Sequence, residues 1–210
     1  MRVQRVRDVA PCLDPQAEGW AQLAPERVAL LPAPLGLQPT AYLRVAFQDR
    51  PYGRSGPLEV ACVHDGERIA FGLSWRDASE DLRSGEAFAD AAAVALPVLG
   101  EPPLATMGAP DAPIHLLHWR AGEERPRSVL AAGLGTTRPG PDLARECRAL
   151  WKDGAWQLVL ARGLAGGEGG APLAAGARSL VAFAVWDGAN RERAGIKAVS
   201  LPWQELRLDP

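Results

Sequence analysis

The chain has 210 residues, of which 47% are hydrophobic and 23% charged, a balance typical of a globular domain and not of a disordered segment. Its formal net charge of −2 shows no basic excess, and the arginines are scattered among acidic residues, so no nucleic-acid partner is expected. No segment approaches the roughly 20 consecutive apolar residues that a membrane-spanning helix needs. No apolar run of signal-peptide length follows the basic first residues, so we expect neither a membrane span nor a visible export signal.

The three cysteines, Cys12, Cys62 and Cys147, lie far apart and form no CxxC or CxxCH motif. This spacing disfavours an iron–sulfur cluster, a thiolate zinc site and a covalently attached c-type haem. At most one disulfide could form, and the spacing does not decide whether one does.

The first forty residues are rich in proline and apolar in patches, with Trp20 and the run Leu30–Leu35. This composition predicts an extended arm that packs on a sheet, and not a separate domain. No internal repeat or block of charge divides the remaining chain, so we predict a single domain over residues 1–210.

Short strands dominate the rest of the chain, because 22 glycines and 19 prolines divide it into apolar runs mostly too brief for stable helices. A hairpin is predicted from about Leu58 to Trp75, since its second half alternates apolar and small residues and Asp65-Gly66 is a hairpin turn signal. The alanine-rich segment Phe88–Leu96 fits a helix or a strand, and so does Asp142–Leu150.

Met107 is the only methionine besides the initiator, and it lies in the Gly/Pro-rich segment Leu104–Pro113. One interpretation is a gap-filling side chain at the edge of the fold. The other is a metal ligand, because the thioether is a soft donor suited to haem iron. The sequence around Met107 leaves both open.

Two histidines lie three residues apart on the predicted strand Ile114–Trp119. His115 and His118 therefore point to opposite faces and cannot both bind one metal ion. Each is either a pocket wall or a partly buried histidine. The sequence contains no GxSxG elbow and no HExxH motif, so it predicts no self-contained enzyme.

The second half of the chain repeats the strand pattern. Trp156–Arg162 and Ser179–Trp186 are predicted strands, and the glycine-rich segment Gly163–Gly176 is predicted to cross between them. Many short strands of this kind indicate an all-β fold, an antiparallel β-sandwich with a few short helices.

Lys197 is one of only two lysines in a chain with twenty-one arginines, and it follows the apolar strand by eleven residues. The pKa of arginine is too high for it to offer a nitrogen lone pair, whereas a buried lysine can lose its proton and act as a base, a nucleophile or a metal ligand. The ordinary alternative is a solvated surface charge.

Several motifs together resemble the haem b-binding gamma subunits of ethylbenzene dehydrogenase, dimethylsulfide dehydrogenase, selenate reductase and chlorate reductase. The similarity runs from about Phe71 to Leu206, roughly two-thirds of the chain. The motifs that carry it are Trp75–Asp77, Phe88–Pro97, Met107-Gly108, Pro113–Ala121, Phe183–Gly188 and Gly195–Ser200.

The resemblance implies one non-covalent haem b held between a methionine and a lysine, and the matching positions are Met107 and Lys197. Neutral lysine is costly, because a reference pKa near 10.4 leaves only about one lysine in 2,500 uncharged at pH 7, a cost of about 4 to 5 kcal/mol. Burial beside Ile196 and Val199 is expected to offset part of that cost. Trp119, Trp186, His115 and His118 are candidate walls of the haem pocket.

The resemblance also implies an electron-transfer subunit without catalytic activity of its own. It would belong to a periplasmic heterotrimer in which a molybdenum-cofactor subunit acts on the substrate and an iron–sulfur subunit carries electrons. This chain would exchange electrons with an external cytochrome c or a quinone-linked carrier.

Two alternatives stay open at this stage. A carbohydrate-binding module uses the same kind of sandwich, and the seven tryptophans could include a stacking platform for sugars. A haem site with methionine and histidine ligands would keep Met107 but use His115 or His118, which stand where the family pattern has an asparagine and a tyrosine.

Overall fold

A computed structural model describes residues 1–82 and 88–210, and these residues form fourteen strands and two short α-helices. The strands are β1 (Arg2–Arg5), β2 (Glu26–Val28), β3 (Leu31–Pro32), β4 (Leu58–His64), β5 (Arg68–Arg76), β6 (Ala91–Pro97), β7 (Ile114–Arg120), β8 (Arg127–Ala131), β9 (Arg138–Pro139), β10 (Arg145–Lys152), β11 (Ala155–Gly163), β12 (Arg178–Trp186), β13 (Ala198–Val199) and β14 (Gln204–Leu208). The helices are α1 (Glu18–Ala21) and α2 (Ala41–Ala46). Among the described residues, no helix is long and apolar enough to cross a bilayer.

The strands form two layers that share β12. The first layer has the order β10-β11-β5-β4-β1-β14, and the second has the order β6-β7-β8-β9. The first half of β12 pairs with β14 and its second half pairs with β6, so this long strand passes from one layer into the other. The predicted all-β sandwich is confirmed, and its ladders are antiparallel except the two that β1 makes with β4 and β14.

The main core lies between the two layers. Trp75 and Trp156 come from the first layer and Trp119 comes from the second. The ring of Trp119 meets the ring of Trp156 edge to face at 5.1 Å and the ring of Trp75 at 6.3 Å. These large buried rings fix the two layers against each other.

The predicted hairpin is confirmed, since β4 and β5 pair antiparallel with His64 opposite Ile69. Both undecided segments contain strands. β6 lies between β12 and β7, so every backbone group of this alanine-rich segment can join a ladder, and tertiary pairing overrides the helix propensity of alanine. β10 pairs with β11 along its whole length.

The first forty residues do not only pack on the sheet but also contribute strands to it. β1 is inserted between β4 and β14 in the first layer, and β3 pairs with β13 next to the second layer. The single domain over residues 1–210 stays a prediction. The three cysteines are free thiols, two of them buried.

Candidate functional site

A cavity of about 890 Å³ lies on the outer face of the second layer, opposite the main core. Its floor consists of small side chains from two neighbouring strands, namely Ala91, Ala93 and Ala95 of β6 and Ala182 and Ala184 of β12. Because successive side chains of a strand point to opposite faces, Val94 of β6 and Val185 of β12 face the core instead. Five alanines side by side leave a broad, flat and apolar depression, and the volume falls within the range typical of small-molecule and cofactor pockets.

The cavity is covered by three segments that lie outside the main ladders. The N-terminal segment contributes Pro34, Gln38 and Tyr42, the loop after β6 contributes Met107, and the loop after β12 contributes Lys197. The predicted site residues Met107 and Lys197 therefore reach the same cavity from positions ninety residues apart in sequence.

Met107 lies at the end of a 3-10 turn in a left-handed backbone conformation, with φ of 60° and ψ of 44°. A residue other than glycine seldom adopts this conformation, which costs of order 1 kcal/mol or more, so it indicates a position held by its surroundings. The Met107 carbonyl accepts a hydrogen bond from Gly133 N–H at 3.0 Å. A Cβ on the next residue, Gly108, would lie 2.9 Å from two carbonyl oxygens. The Met-Gly pair therefore fixes where the thioether points.

Lys197 is buried, with 7% of the residue exposed, and its Nζ lies 3.4 Å from the Sδ of Met107. The Nζ also lies 5.0 Å from the centroid of the Trp186 ring. No acidic side chain among the described residues pairs with this ammonium group. Burial lowers the pKa of Lys197 to about 8, which favours the neutral amine.

The backbone around Lys197 is held by the N-terminal segment. The Lys197 carbonyl accepts a hydrogen bond from Ala33 N–H at 2.9 Å, and the two residues after Lys197 form β13, which pairs with β3. The side-chain amide of Gln38 donates to the Gly195 carbonyl at 2.9 Å. A Cβ on Gly195 would stand 1.8 Å from the Gln38 Oε1, so this close approach requires glycine.

Of the four predicted wall residues, two line the cavity. His118 and Trp186 both face it, and their rings meet edge to face at 5.1 Å. Burial, with a further effect from Arg120, Arg127 and Lys197, lowers the pKa of His118 to about 3, so the imidazole is neutral at pH 7.

Trp119 and His115 lie on the other face of β7 and are not walls of this cavity. Trp119 packs in the main core with the other two tryptophans. His115 is 1% exposed and its Nε2 lies 2.9 Å from the Ser128 Oγ, while its Nδ1 accepts from Ala171 N–H at 3.2 Å. The alternation along β7 explains the division, because 115 and 119 share one face and 118 belongs to the other.

The buried amine and the thioether are the electron-pair donors that a soft transition-metal centre prefers. Metal–nitrogen and metal–sulfur bonds are roughly 2.0 to 2.3 Å long, judging from zinc sites, so a metal between the two atoms needs them to part by only about an ångström. The flat apolar floor beside them suits a planar, largely hydrocarbon ring. The donor set and the shape of the cavity therefore fit a haem.

Comparison with known proteins shows the family of this chain. A profile described as Ethylbenzene dehydrogenase matches residues 142–198, which end just past Lys197. The chlorate reductase subunit gamma of Ideonella dechloratans is 33% identical over 216 residues, covering 99% of this chain and 85% of the relative. The chain belongs to the ethylbenzene dehydrogenase family. A Haloferax mediterranei relative, named as a candidate heme subunit (ORF7) of respiratory nitrate reductase, is 33% identical over 93% of this chain and 68% of its own length.

Membership of the ethylbenzene dehydrogenase family confirms the resemblance that the sequence motifs indicate. A solved structure of a family 9 carbohydrate-binding module from Caldicellulosiruptor kristjanssonii, in complex with glucose, has the same fold. It superposes with a TM-score of 0.57 over 100% of this chain and 95% of the module, at 9% sequence identity. An identity this low shows a shared fold alone.

Two buried carboxylates that sequence analysis missed hold the loop after β12, which carries Lys197. Asp90 accepts hydrogen bonds from Gly188 N–H at 2.8 Å and from Trp156 Nε1–H at 3.0 Å. Glu192 accepts from Gly53 N–H at 2.7 Å and from Asn190 Nδ2 at 3.0 Å. Burial raises the pKa of both carboxyls. Glu192 follows the Asp187-Gly188 turn, a common sequence signal, and Asp90 stands in the alanine-rich segment before β6 with no turn motif beside it.

Proposed function

We propose that this chain is an electron-transfer subunit that binds one non-covalent haem b, with Met107 and Lys197 as the two axial ligands of the iron. The observation that carries the proposal is the 3.4 Å approach of the Lys197 Nζ to the Met107 Sδ inside a cavity of about 890 Å³. The names of the relatives support it, since one is a chlorate reductase gamma subunit and another is described as a heme subunit.

Lys197 can serve as a ligand only as the neutral amine. With a pKa of about 8, losing the proton at pH 7 costs about 1.4 kcal/mol, compared with about 4 to 5 kcal/mol for a solvated lysine. Burial of the Lys197 side chain therefore removes most of the free-energy cost of losing the proton at pH 7. Met107 supplies a thioether, which favours the ferrous state and so a higher reduction potential.

Haem held by Met107 and Lys197 would supply one-electron redox chemistry between the ferric and ferrous states. The alanine floor, Trp186 and the segment around Gln38 line the cavity. In this proposal the residues of this chain would bind and tune a redox centre.

The chain would then act within a larger complex. A molybdenum-cofactor subunit would act on the substrate, an iron–sulfur subunit would carry electrons, and this chain would pass them to or from an external cytochrome c or quinone-linked carrier in the periplasm. The gamma-subunit name of the chlorate reductase relative supports a multisubunit assembly. The carbohydrate-binding alternative is not favoured, because its support is a shared fold at 9% identity.

The test is the absorption spectrum of the purified full-length chain, reconstituted with haem b and then reduced with dithionite. Wild type is expected to give a low-spin spectrum, and both Met107→Ala and Lys197→Ala are expected to lose it. Lys152→Ala is the matched control, because Lys152 is the other lysine and is exposed on β10. A low-spin spectrum that is unchanged in both cavity variants would refute the proposed ligands.

His118 makes the methionine–histidine alternative testable, because it lines the same cavity. If His118 were the ligand, His118→Ala would lose the low-spin spectrum and Lys197→Ala would keep it. We expect the reverse.

A further inference from the structure

Charged side chains lie at one end of the cavity and aliphatic side chains at the other, along the direction of its strands. Among the described residues, the cavity lining contains four arginines, Arg120, Arg127, Arg191 and Arg193, together with Lys197 and the neutral His118, and one acid, Glu192. The whole chain has a formal charge of −2, so this excess of positive charge is local. An excess of cations beside an apolar floor points to a ligand with both an apolar body and negative groups.

The strand register places two of the arginines at one end of the floor. Arg120 lies opposite Ala91, and Arg127 lies opposite His118, so both point into the outer face at the β6 end that begins with Ala91. Two more come from the loop after β12. Arg193 stacks over the Phe88 ring at 4.6 Å, next to the start of β6, and Arg191 is exposed in the same loop.

The other end of the floor is apolar. Ala95 lies opposite Leu116, and Leu116 lies opposite Val129. Leu104 and Leu134 line the cavity at this end. The lining therefore changes from arginines to aliphatic side chains along a single sheet face.

Glu192, the acid among the described lining residues, makes its hydrogen bonds to the backbone and to Asn190. The Glu192 carboxylate accepts from Gly53 N–H, Asn190 Nδ2 and Asp187 N–H, and so it is used in holding the loop. Arg127 pairs with Glu123, but that glutamate is outside the lining, and half of the Arg127 side chain is exposed.

We propose that Arg120, Arg127, Arg191 and Arg193 form the subsite that receives the two carboxylates of the bound porphyrin. This inference rests on the proposed function and adds the orientation of the ring. The propionate edge faces the arginine end of the cavity, and the vinyl edge faces Leu104, Leu116 and Val129. Guanidinium groups match carboxylates geometrically, and a partly exposed arginine can bind one without the cost of full desolvation.

The experiment compares haem b with its dimethyl ester, which has the same ring and iron but no carboxylates. Each compound is titrated into the haem-free full-length chain, and binding is followed by the Soret band and by quenching of tryptophan fluorescence. Wild type is expected to bind the free acid about tenfold more tightly than the ester, with the preference shrinking as salt is added. The Arg127→Ala/Arg193→Ala variant is expected to lose the preference while its affinity for the ester stays unchanged.

The matched control is Arg148→Ala/Arg178→Ala, which removes two arginines outside the cavity lining and should keep the tenfold preference. The single exposed-site variant Arg127→Gln guards against misfolding of the double variant and should lose part of the preference. Equal binding of acid and ester by wild type, with the low-spin spectrum still dependent on Met107 and Lys197, would overturn this subsite and leave the proposed function standing. Binding of neither compound would overturn the proposed function itself.

Discussion

The two faces of the second layer are built from the same strands but serve opposite purposes. On the inner face, residues such as Val94, Phe183 and Trp119 pack between the two layers. On the outer face, the residues between them are mainly alanines, and a cavity of about 890 Å³ stands above them. Along β6 and β12 both faces are mainly apolar, so side-chain size and not hydrophobicity distinguishes the packing face from the candidate binding face.

Removing a tryptophan from each face should separate the two roles most strongly. Trp119→Ala is expected to lower the free energy of unfolding by about 3 to 5 kcal/mol, because the ring is 2% exposed and packs against two other tryptophans. Trp186→Ala should cost less stability, because that ring already borders the cavity, but it should weaken haem binding more. Urea unfolding and haem titration measure the two effects, and equal stability losses would contradict the division between faces.

Replacing the buried lysine should stabilise the haem-free protein. The pKa of Lys197 falls from 10.5 to about 8 on folding, so below pH 8 the folded state holds a buried charge that the unfolded state solvates easily. The cost is about 3 kcal/mol at pH 7. Between about pH 8 and pH 10.5 the unfolded chain binds more protons than the folded one, so this contribution makes stability rise with pH across that window.

Lys197→Met should therefore raise the stability of the haem-free chain at pH 7 by up to about 3 kcal/mol and should remove its rise between pH 8 and 10.5. Haem binding should be lost at the same time, a gain of stability at the expense of function. Urea unfolding at a series of pH values measures this, with Lys152→Met as the control. If Lys197→Met were less stable than wild type, the buried ammonium group would not be lowering the stability of the folded state.

The sequence points to Met107 and Lys197 as the centre of the candidate site because these residues are rare and match the family resemblance, and their role as ligands stays a prediction. Lys197 and Met107 stand out in a chain with two lysines and two methionines, and the strand alternation of β5 and β7 is readable in the letters. Whether a residue of β7 or β12 lines the cavity depends on which face of the strand packs against the core. His115 and Trp119 face inward and His118 faces outward, and a sequence with apolar residues on both faces does not show which side is the core.

Long-range contacts account for what sequence analysis missed. Gln38 and Gly195 meet across 157 residues, and Asp90 meets Gly188 across 98, and nothing local to either partner indicates the contact. The arginine subsite has the same origin. Arg120, Arg127 and Arg193 are ordinary surface residues in sequence, and only the strand register and the loop after β12 bring them to one end of the cavity.

Two adjacent alanines of β6 allow a comparison of the two faces in which the expected effects on stability are the smallest. Ala92 is fully buried in the main core, opposite Val185 and Trp119, whereas Ala93 lies on the cavity floor opposite Ala184 and His118. Ala92→Leu should cost about 1 to 3 kcal/mol of stability through overpacking, measured by urea unfolding, and change haem affinity little.

Ala93→Leu should leave the stability of the haem-free protein within about 1 kcal/mol of wild type, because the added side chain enters a space that holds no protein atoms. The same side chain would occupy the surface on which the ring lies, so haem affinity should fall about 5- to 100-fold, the equivalent of an overpacked contact in the bound state. Substituting neighbouring residues by the same side chain keeps composition and local propensity constant. If Ala92→Leu were the variant that blocked haem, the ring would have to lie between the layers, and the outer cavity would not be the site.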